Sequence, residues 1–223
     1  MKCIVFNGSP AGINSNTNII AEAFLKGAAR AGGEVEQVYL TDKNIGHCKG
    51  CFACWFKTPG TCVLQDDMAA LLKLYNQADL VCFATPVYTW NMTAMLKNFV
   101  DRLAPLKSPL LVQTGGQFDL ADTKVKEQQF AVISNCGFPG DRNFETIKTV
   151  FASCLPVLEI YRNCGMLLKS KNEAVEKKVQ TYLQFVGQAG FEMVSDHGIS
   201  EDTRAGLAME LMTAGDYVRY IGM

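Results

Sequence analysis

The run Leu80–Thr85 reads LVCFAT, apolar or small at every position and flanked by segments of helical periodicity. A strand apolar at every residue is covered on both faces, as in a parallel sheet between two layers of helices. Similar short runs recur at Lys2–Asn7, Val35–Leu40, Phe130–Asn135 and Pro156–Arg162. In the last of these Pro156 stands at the start, where a missing N–H does least harm. Between the runs lie helical stripes. Ile20, Ala23, Phe24, Gly27, Ala28 and Ala31 share one face of 16–32, which Gly32-Gly33 terminates. Met68, Leu71, Leu72 and Tyr75 do so in Asp66–Asn76, and Met92, Met95, Leu96, Phe99, Val100 and Leu103 in the next. Val175, Val179, Tyr182, Leu183 and Val186 mark Glu173–Gln188. Helices are also expected over Asn143–Leu155 and Arg204–Thr213. Five strands alternating with helices imply a doubly wound α/β fold around a five-stranded parallel sheet. Residues 1–223 read as one domain, with the helices from about 171 as its extension. The stretch 104–126 shows no period and contains Pro105, Pro109, Gly115 and Gly116. It reads as a lid, a binding loop or an oligomer contact.

A net charge of -1, without a basic run, excludes an electrostatic nucleic-acid binder. No stretch approaches the roughly 20 apolar residues that cross a bilayer. Only four apolar residues, Cys3–Phe6, follow Lys2 before Asn7-Gly8, too short a run for a signal-peptide core. The expected location is the cytoplasm, where the nine cysteines are free thiols or ligands.

Asn7-Gly8-Ser9-Pro10-Ala11-Gly12-Ile13-Asn14-Ser15-Asn16-Thr17-Asn18 joins the first strand to the first helix. Hydroxyls and amides crowd it, and it has no Lys or Arg. It lacks a GK[ST] ending and does not match GxGxxG. At the carboxyl edge of a parallel sheet, a helix N-terminus favours an anion. Neutral donors around a helix dipole suit a tightly kept monophosphate such as that of FMN. The plainer reading is a polar turn with Ser15 as N-cap.

Cys48, Cys51, Cys54 and Cys62 fall within fifteen residues at C-x2-C-x2-C-x7-C spacing. The first three have the short steps of a ferredoxin-type run. Zinc fits less well, because structural zinc sites use two separated pairs. The other reading is that all four are plain thiols. Asp66 and Asp67 read as acids complementing a helix dipole rather than metal ligands, His47 as a surface-loop residue, and Cys3 and Cys82 as core.

The NGSP…SNT loop, the C-x-G-C-x-x-C…C-x-x-x-D-D-M segment and the TPVY…LKNFVDR segment occur in that order. Together they resemble the NADPH-dependent FMN reductase and iron–sulfur flavoprotein family, over roughly the first 140 residues. The resemblance implies a flavodoxin-like fold with strand order 2-1-3-4-5 and FMN held by three loops. Ser9, Pro10, Ser15, Asn16 and Thr17 match the phosphate loop. Pro86, Val87, Tyr88, Thr89, Trp90 and Asn91 match the loop beside the isoalloxazine and ribityl chain. Asn135, Cys136, Gly137 and Phe138 match the third loop. Tyr88 and Trp90 offer flat surface to a ring, or else pack in a core or dimer. The chain departs from the family at Ala11, where a basic residue is frequent.

The family passes electrons from NAD(P)H through FMN to a flavin, quinone or similar small acceptor, and needs no catalytic side chain. Backbone amides of Cys136 and Gly137 are the donors expected near flavin N1 or O2. The alternative is an iron–sulfur electron carrier, with a [4Fe-4S] cluster on Cys48, Cys51, Cys54 and Cys62 and a ferredoxin-like partner. A third reading, an interaction module without FMN, sits poorly with the intact phosphate loop. A homodimer or homotetramer is expected. Arg142 and Lys126 are candidate readers of a 2′-phosphate by proximity alone, against the plainer reading of solvated charge.

Overall fold

The computed structural model describes residues 1–114, 116–122 and 127–222. The five apolar runs pair as β1 (Lys2–Asn7), β2 (Glu34–Tyr39), β3 (Leu80–Pro86), β6 (Gln129–Asn135) and β7 (Leu158–Arg162), with β4 and β5 in an insertion described below. All are parallel, in the order β2-β1-β3-β6-β7. With the insertion set aside, this is the expected 2-1-3-4-5.

Alternate side chains feed two cores. Cys3, Val5, Cys82, Ala84 and Ile133 face α1 (Asn16–Arg30) and α6 (Glu173–Ser195). Ile4, Phe6, Val81, Phe83 and Val132 face α3 (Met68–Gln77), α4 (Ala94–Asp101) and α5 (Glu145–Phe151). Fully burying one such side chain is worth about 1.5–3 kcal/mol, so continuous apolar strands are what a two-faced sheet requires. A four-residue helix, α2 (Ala53–Phe56), interrupts the cysteine-rich segment. α1 and α6 meet backbone to backbone. A Cβ on Gly27 would lie 1.7 Å from the Gly187 carbonyl oxygen, and one on Gly190 2.0 Å from that of Phe24.

Three expectations need correction. The stretch read as an aperiodic loop forms an antiparallel hairpin, β4 (Lys107–Thr114) and β5 (Gln117–Asp122), outside the main sheet. Its period is invisible because neither face is covered: consecutive Leu110, Leu111 and Val112 are all exposed, as is Phe118 across from Gln113. The expected helix at Asn143–Leu155 contracts to α5, flanked by 3-10 turns at Asp141–Phe144 and Ala152–Cys154. The expected Arg204–Thr213 helix is helical only to Leu207, as the end of α7 (Glu201–Leu207), and a separate helix, α8 (Ala214–Tyr220), follows. Ser200 and Thr213 each accept a hydrogen bond from an N–H of the following turn, so Thr213 begins a helix rather than ending one.

Candidate functional site

Ser15 caps α1: its Oγ accepts from the Asn18 N–H at 2.9 Å and donates to the Gly12 carbonyl at 2.7 Å. The capping reading therefore holds, and its proton is already committed. The first N–H groups of the helix, on Asn16 and Thr17, have no acceptor among the described residues. Buried Asn7 uses Oδ1 to accept the Ser9 N–H at 2.9 Å, which leaves its Nδ2 without a partner. Asn16 Oδ1 is also buried and unpartnered. An unsatisfied buried polar atom costs about 1–3 kcal/mol. The free Asn16 and Thr17 N–H groups at this helix N-terminus, not the Asn16 carbonyl oxygen, are the donors suited to an anion.

The second loop follows β3. Tyr88 and Asn91 exchange backbone hydrogen bonds at 2.9 and 3.0 Å, closing a tight turn on Thr89 and Trp90. Both turn residues have positive φ, 49° and 58°. Such a turn prefers Asn and Gly, and left-handed backbone costs an L-residue roughly 1–2 kcal/mol. The strain throws two rings outward: Tyr88 is 54% exposed and Trp90 65%. Neither packs in this chain's core. Buried Thr93 ties this loop to the first. It donates to the Gly8 carbonyl at 2.6 Å, caps α4 by accepting the Leu96 N–H at 3.2 Å, and gives its own N–H to Thr85 Oγ1 at 3.1 Å.

The third loop leaves β6. Asn135 Nδ2 donates to Thr17 Oγ1 at 2.6 Å, which joins this loop to α1. The Cys136 N–H donates to the Arg162 carbonyl at 3.0 Å. It is therefore spent within the sheet, contrary to its expected role facing a ring. The Gly137 N–H has no acceptor among the described residues and remains available. Tyr217 of α8, itself fully buried, donates to the Gly137 carbonyl at 2.5 Å. Burial pushes the Cys136 thiol up to about 11, and its Sγ–H donates to the Phe138 carbonyl at 3.1 Å. At neutral pH it is a thiol, not a nucleophilic thiolate.

The three loops converge on one cleft of about 460 Å³. Ser9, Ser15, Asn16, Thr17, Pro86, Val87, Tyr88, Asn135, Cys136 and Gly137 line it. Pro10, Thr89, Trp90, Asn91 and Phe138 do not; they stand exposed on the same loops. The cleft lies outside the carboxyl ends of β1, β3 and β6, at the switch point where the strand order reverses. Met166 and Lys169 also line it, unanticipated from sequence. They follow β7 at the same carboxyl edge, and that position was the available signal. Arg142 is exposed and does not line the cleft; Lys126 lies outside the described residues.

Residues 1–130 match the family model of NADPH-dependent FMN reductases. The chain belongs to that family. An iron-sulfur flavoprotein of Archaeoglobus fulgidus is 41% identical over 105 residues, covering 47% of this chain and 46% of that protein. The chain spans about half the length of the curated relatives it matches. Among solved structures, an FMN-dependent NADH-azoreductase of Bacillus anthracis in complex with FMN superposes with a TM-score of 0.60 at 15% identity, over 87% of this chain and 100% of that one. An NAD(P)H:quinone oxidoreductase of Methanothermobacter marburgensis gives 0.59 at 15% identity, over 86% and 94%. These two likenesses establish the shared flavodoxin-like fold.

In this FMN reductase family member the cysteine segment lies apart from the cleft lining. Cys48 and Cys51 are exposed, Cys54 and Cys62 half-buried, and all four are free. Burial above all raises the pKa of the Cys54 thiol. Among the described residues no three His, Cys, Asp or Glu side chains converge as metal ligands. The segment is anchored by Arg102, only 1% exposed. Its Nη1 and Nη2 grip Asp66 at 2.6 and 3.0 Å, Nη1 reaches the Gly46 carbonyl at 2.5 Å, and Nη2 the Cys62 Sγ at 3.4 Å. Asp66 does stand at the start of α3, accepting the Met68 N–H, but this buried ion pair is its larger role. His47 is exposed and meets Asn98 Oδ1 at 3.1 Å.

Proposed function

We propose that this chain is an FMN-dependent oxidoreductase that passes electrons from NAD(P)H to a flavin, quinone or similar small acceptor. The observation that carries the reading is the single cleft joining three loops at the switch point, with the uncommitted N–H groups of α1 at one end and Tyr88 on its strained turn at the other. Ser9, Pro10, Ser15, Asn16 and Thr17 belong to the phosphate end. Pro86, Val87 and Tyr88 form one wall, with Tyr88 beside the ring and Thr89, Trp90 and Asn91 exposed on the same loop. Asn135, Cys136 and Gly137 form the other, with Phe138 exposed on the same loop, and the free Gly137 N–H is the donor for the polar edge of the ring. Bound FMN supplies hydride acceptance and onward electron transfer. The protein supplies position, a dry face and fixed dipoles.

The C-x2-C-x2-C-x7-C spacing of four free cysteines favours a second reading, an iron–sulfur flavoprotein. Cys48, Cys51, Cys54 and Cys62 would hold a [4Fe-4S] cluster, and a ferredoxin-like protein would be the redox partner. Either way, we propose one FMN-binding domain in the cytoplasm. No helix among the described residues is long and apolar enough to cross a membrane. The exposed Leu110, Leu111, Val112 and Phe118 on a hairpin too small to stand alone support a homodimer or homotetramer.

An absorption spectrum of protein purified without oxygen, with iron and sulfide assayed on the same sample, tests these readings. A flavin spectrum without iron, together with steady NAD(P)H oxidation, supports the reductase. Flavin with about four irons per chain and no NAD(P)H turnover supports the carrier. Protein that neither retains nor takes up FMN sinks both.

A further inference from the structure

The phosphate loop contains no Lys or Arg. A phosphate monoester is close to dianionic at neutral pH, so neutral donors alone leave its outer oxygens poorly matched. The fold supplies a charge from elsewhere. Lys169 lines the same cleft as Ser9, Ala11 and the first residues of α1, and its Nζ donates to the Asn14 carbonyl.

Its placement is built. Lys169 ends the 3-10 turn Gly165–Lys169, whose Leu167 and Leu168 are buried in the core. At the other end of that turn the Gly165 N–H donates to the Cys136 carbonyl at 2.7 Å. A Cβ on Gly165 would lie 3.0 Å from Asn135 Oδ1, so turn and third loop are closely fitted. Lys169 is the one charged residue among those lining the cleft, and it has no carboxylate partner among the described residues. A lysine held against the phosphate loop by a carbonyl contact alone keeps its charge available. The free Asn16 and Thr17 N–H groups of α1, which line the same cleft, mark independently where an anion belongs.

We propose that Lys169 binds the 5′-phosphate of FMN, supplying the cation that the loop itself lacks. This deepens the FMN reading above and rests on it. The shared chemistry is a phosphate monoester, which the 2′-phosphate of NADPH also carries, and the assay separates the two.

The test uses the protein freed of flavin, titrated with FMN and with riboflavin, for wild type, Lys169→Met, Lys169→Arg and Ala11→Lys/Lys169→Met. Lys169 is exposed, and circular dichroism checks that each variant folds. A charge-assisted hydrogen bond of this kind is worth about tenfold in affinity or somewhat more. Lys169→Met is expected to weaken FMN by about that factor at low salt and less at high salt, leaving riboflavin unchanged. Lys169→Arg retains most of the affinity, and Ala11→Lys restores it. Equal FMN affinity in wild type and Lys169→Met overturns the proposal, as does an equal loss for riboflavin. So does a change confined to the NADPH-over-NADH preference of the reconstituted protein, which would reassign the lysine to the nucleotide. Failure of wild type to bind either flavin defeats the FMN reading itself.

Discussion

Replacing Arg102 by alanine removes one partner from an ion pair whose side chains are 1% and 6% exposed. The Asp66 carboxylate is left with the Gly46 and Met68 N–H groups, at 2.9 and 3.1 Å, and the Gly46 carbonyl loses its donor. Breaking a buried pair in this one-sided way costs about 3–5 kcal/mol. At roughly 2–4 °C per kcal/mol for a chain of this size, the melting temperature falls by about 10 °C. The double variant Arg102→Met/Asp66→Leu removes both charges and recovers much of the loss. It stops roughly 1–2 kcal/mol short, because the Gly46 and Met68 N–H groups lose their acceptor. The effect has a pH signature. The Arg102 hydrogen bond holds the Asp66 carboxyl below its usual range, with backbone N–H groups of Gly46 and Met68 assisting against burial. That stabilisation is full above the unfolded carboxyl value of about 3.9 and is lost as pH falls through the lower folded value. Thermal and urea melts of wild type and both variants at pH 7 and pH 3 measure it. The gap between wild type and Arg102→Ala is expected to narrow in acid. A fall of less than about 3 °C at pH 7, or a gap indifferent to pH, refutes the reasoning.

The strained Thr89-Trp90 turn makes a second case. Thr89→Asn/Trp90→Gly is expected to stabilise the chain by about 1 kcal/mol in urea melts while weakening FMN binding; no gain in stability means that the turn stores no strain. A Cβ at Gly8 would lie 2.5 Å from that of Leu96, so Gly8→Ala is expected to cost about 1–3 kcal/mol by denaturant unfolding and to disturb the junction of the first two loops. In native protein at pH 7.5, iodoacetamide with peptide mapping is expected to label Cys48 and Cys51 first. Cys3 and Cys136, both pushed by burial to about 11, and the fully buried Cys82 should react only after unfolding. Early alkylation of Cys136 contradicts its buried position.

The sheet was legible because β1, β3 and β6 are buried on both faces, and such strands announce themselves as unbroken apolar runs. The site loops were legible because each follows one of those strands at its carboxyl end. The hairpin was not, since its apolar residues face solvent on both sides and no period distinguishes an inner face from an outer. Lys169 was hidden by distance: 155 positions separate it from Asn14, and only the 3-10 turn after β7 brings them together. The Arg102–Asp66 pair was hidden in the same way, because an acid at a helix start has an adequate local explanation that conceals a distant partner. The Cys136 amide failed as a ring donor because pairing with β7 extends one residue past the strand end, which no local pattern reveals.

The glycine contact between α1 and α6 also sets an order of events during synthesis. All three loops of the cleft are present once about residue 140 has emerged, yet the outer face of α1 then has nothing against which to close. Its neighbour, Glu173–Ser195, is made later, and contact through Gly27, Gly187 and Gly190 leaves no room for a substitute helix with larger side chains at the crossing. The nascent chain therefore carries the parts of an anion cradle before it carries the support that fixes their geometry. Maturation of the site waits for α6.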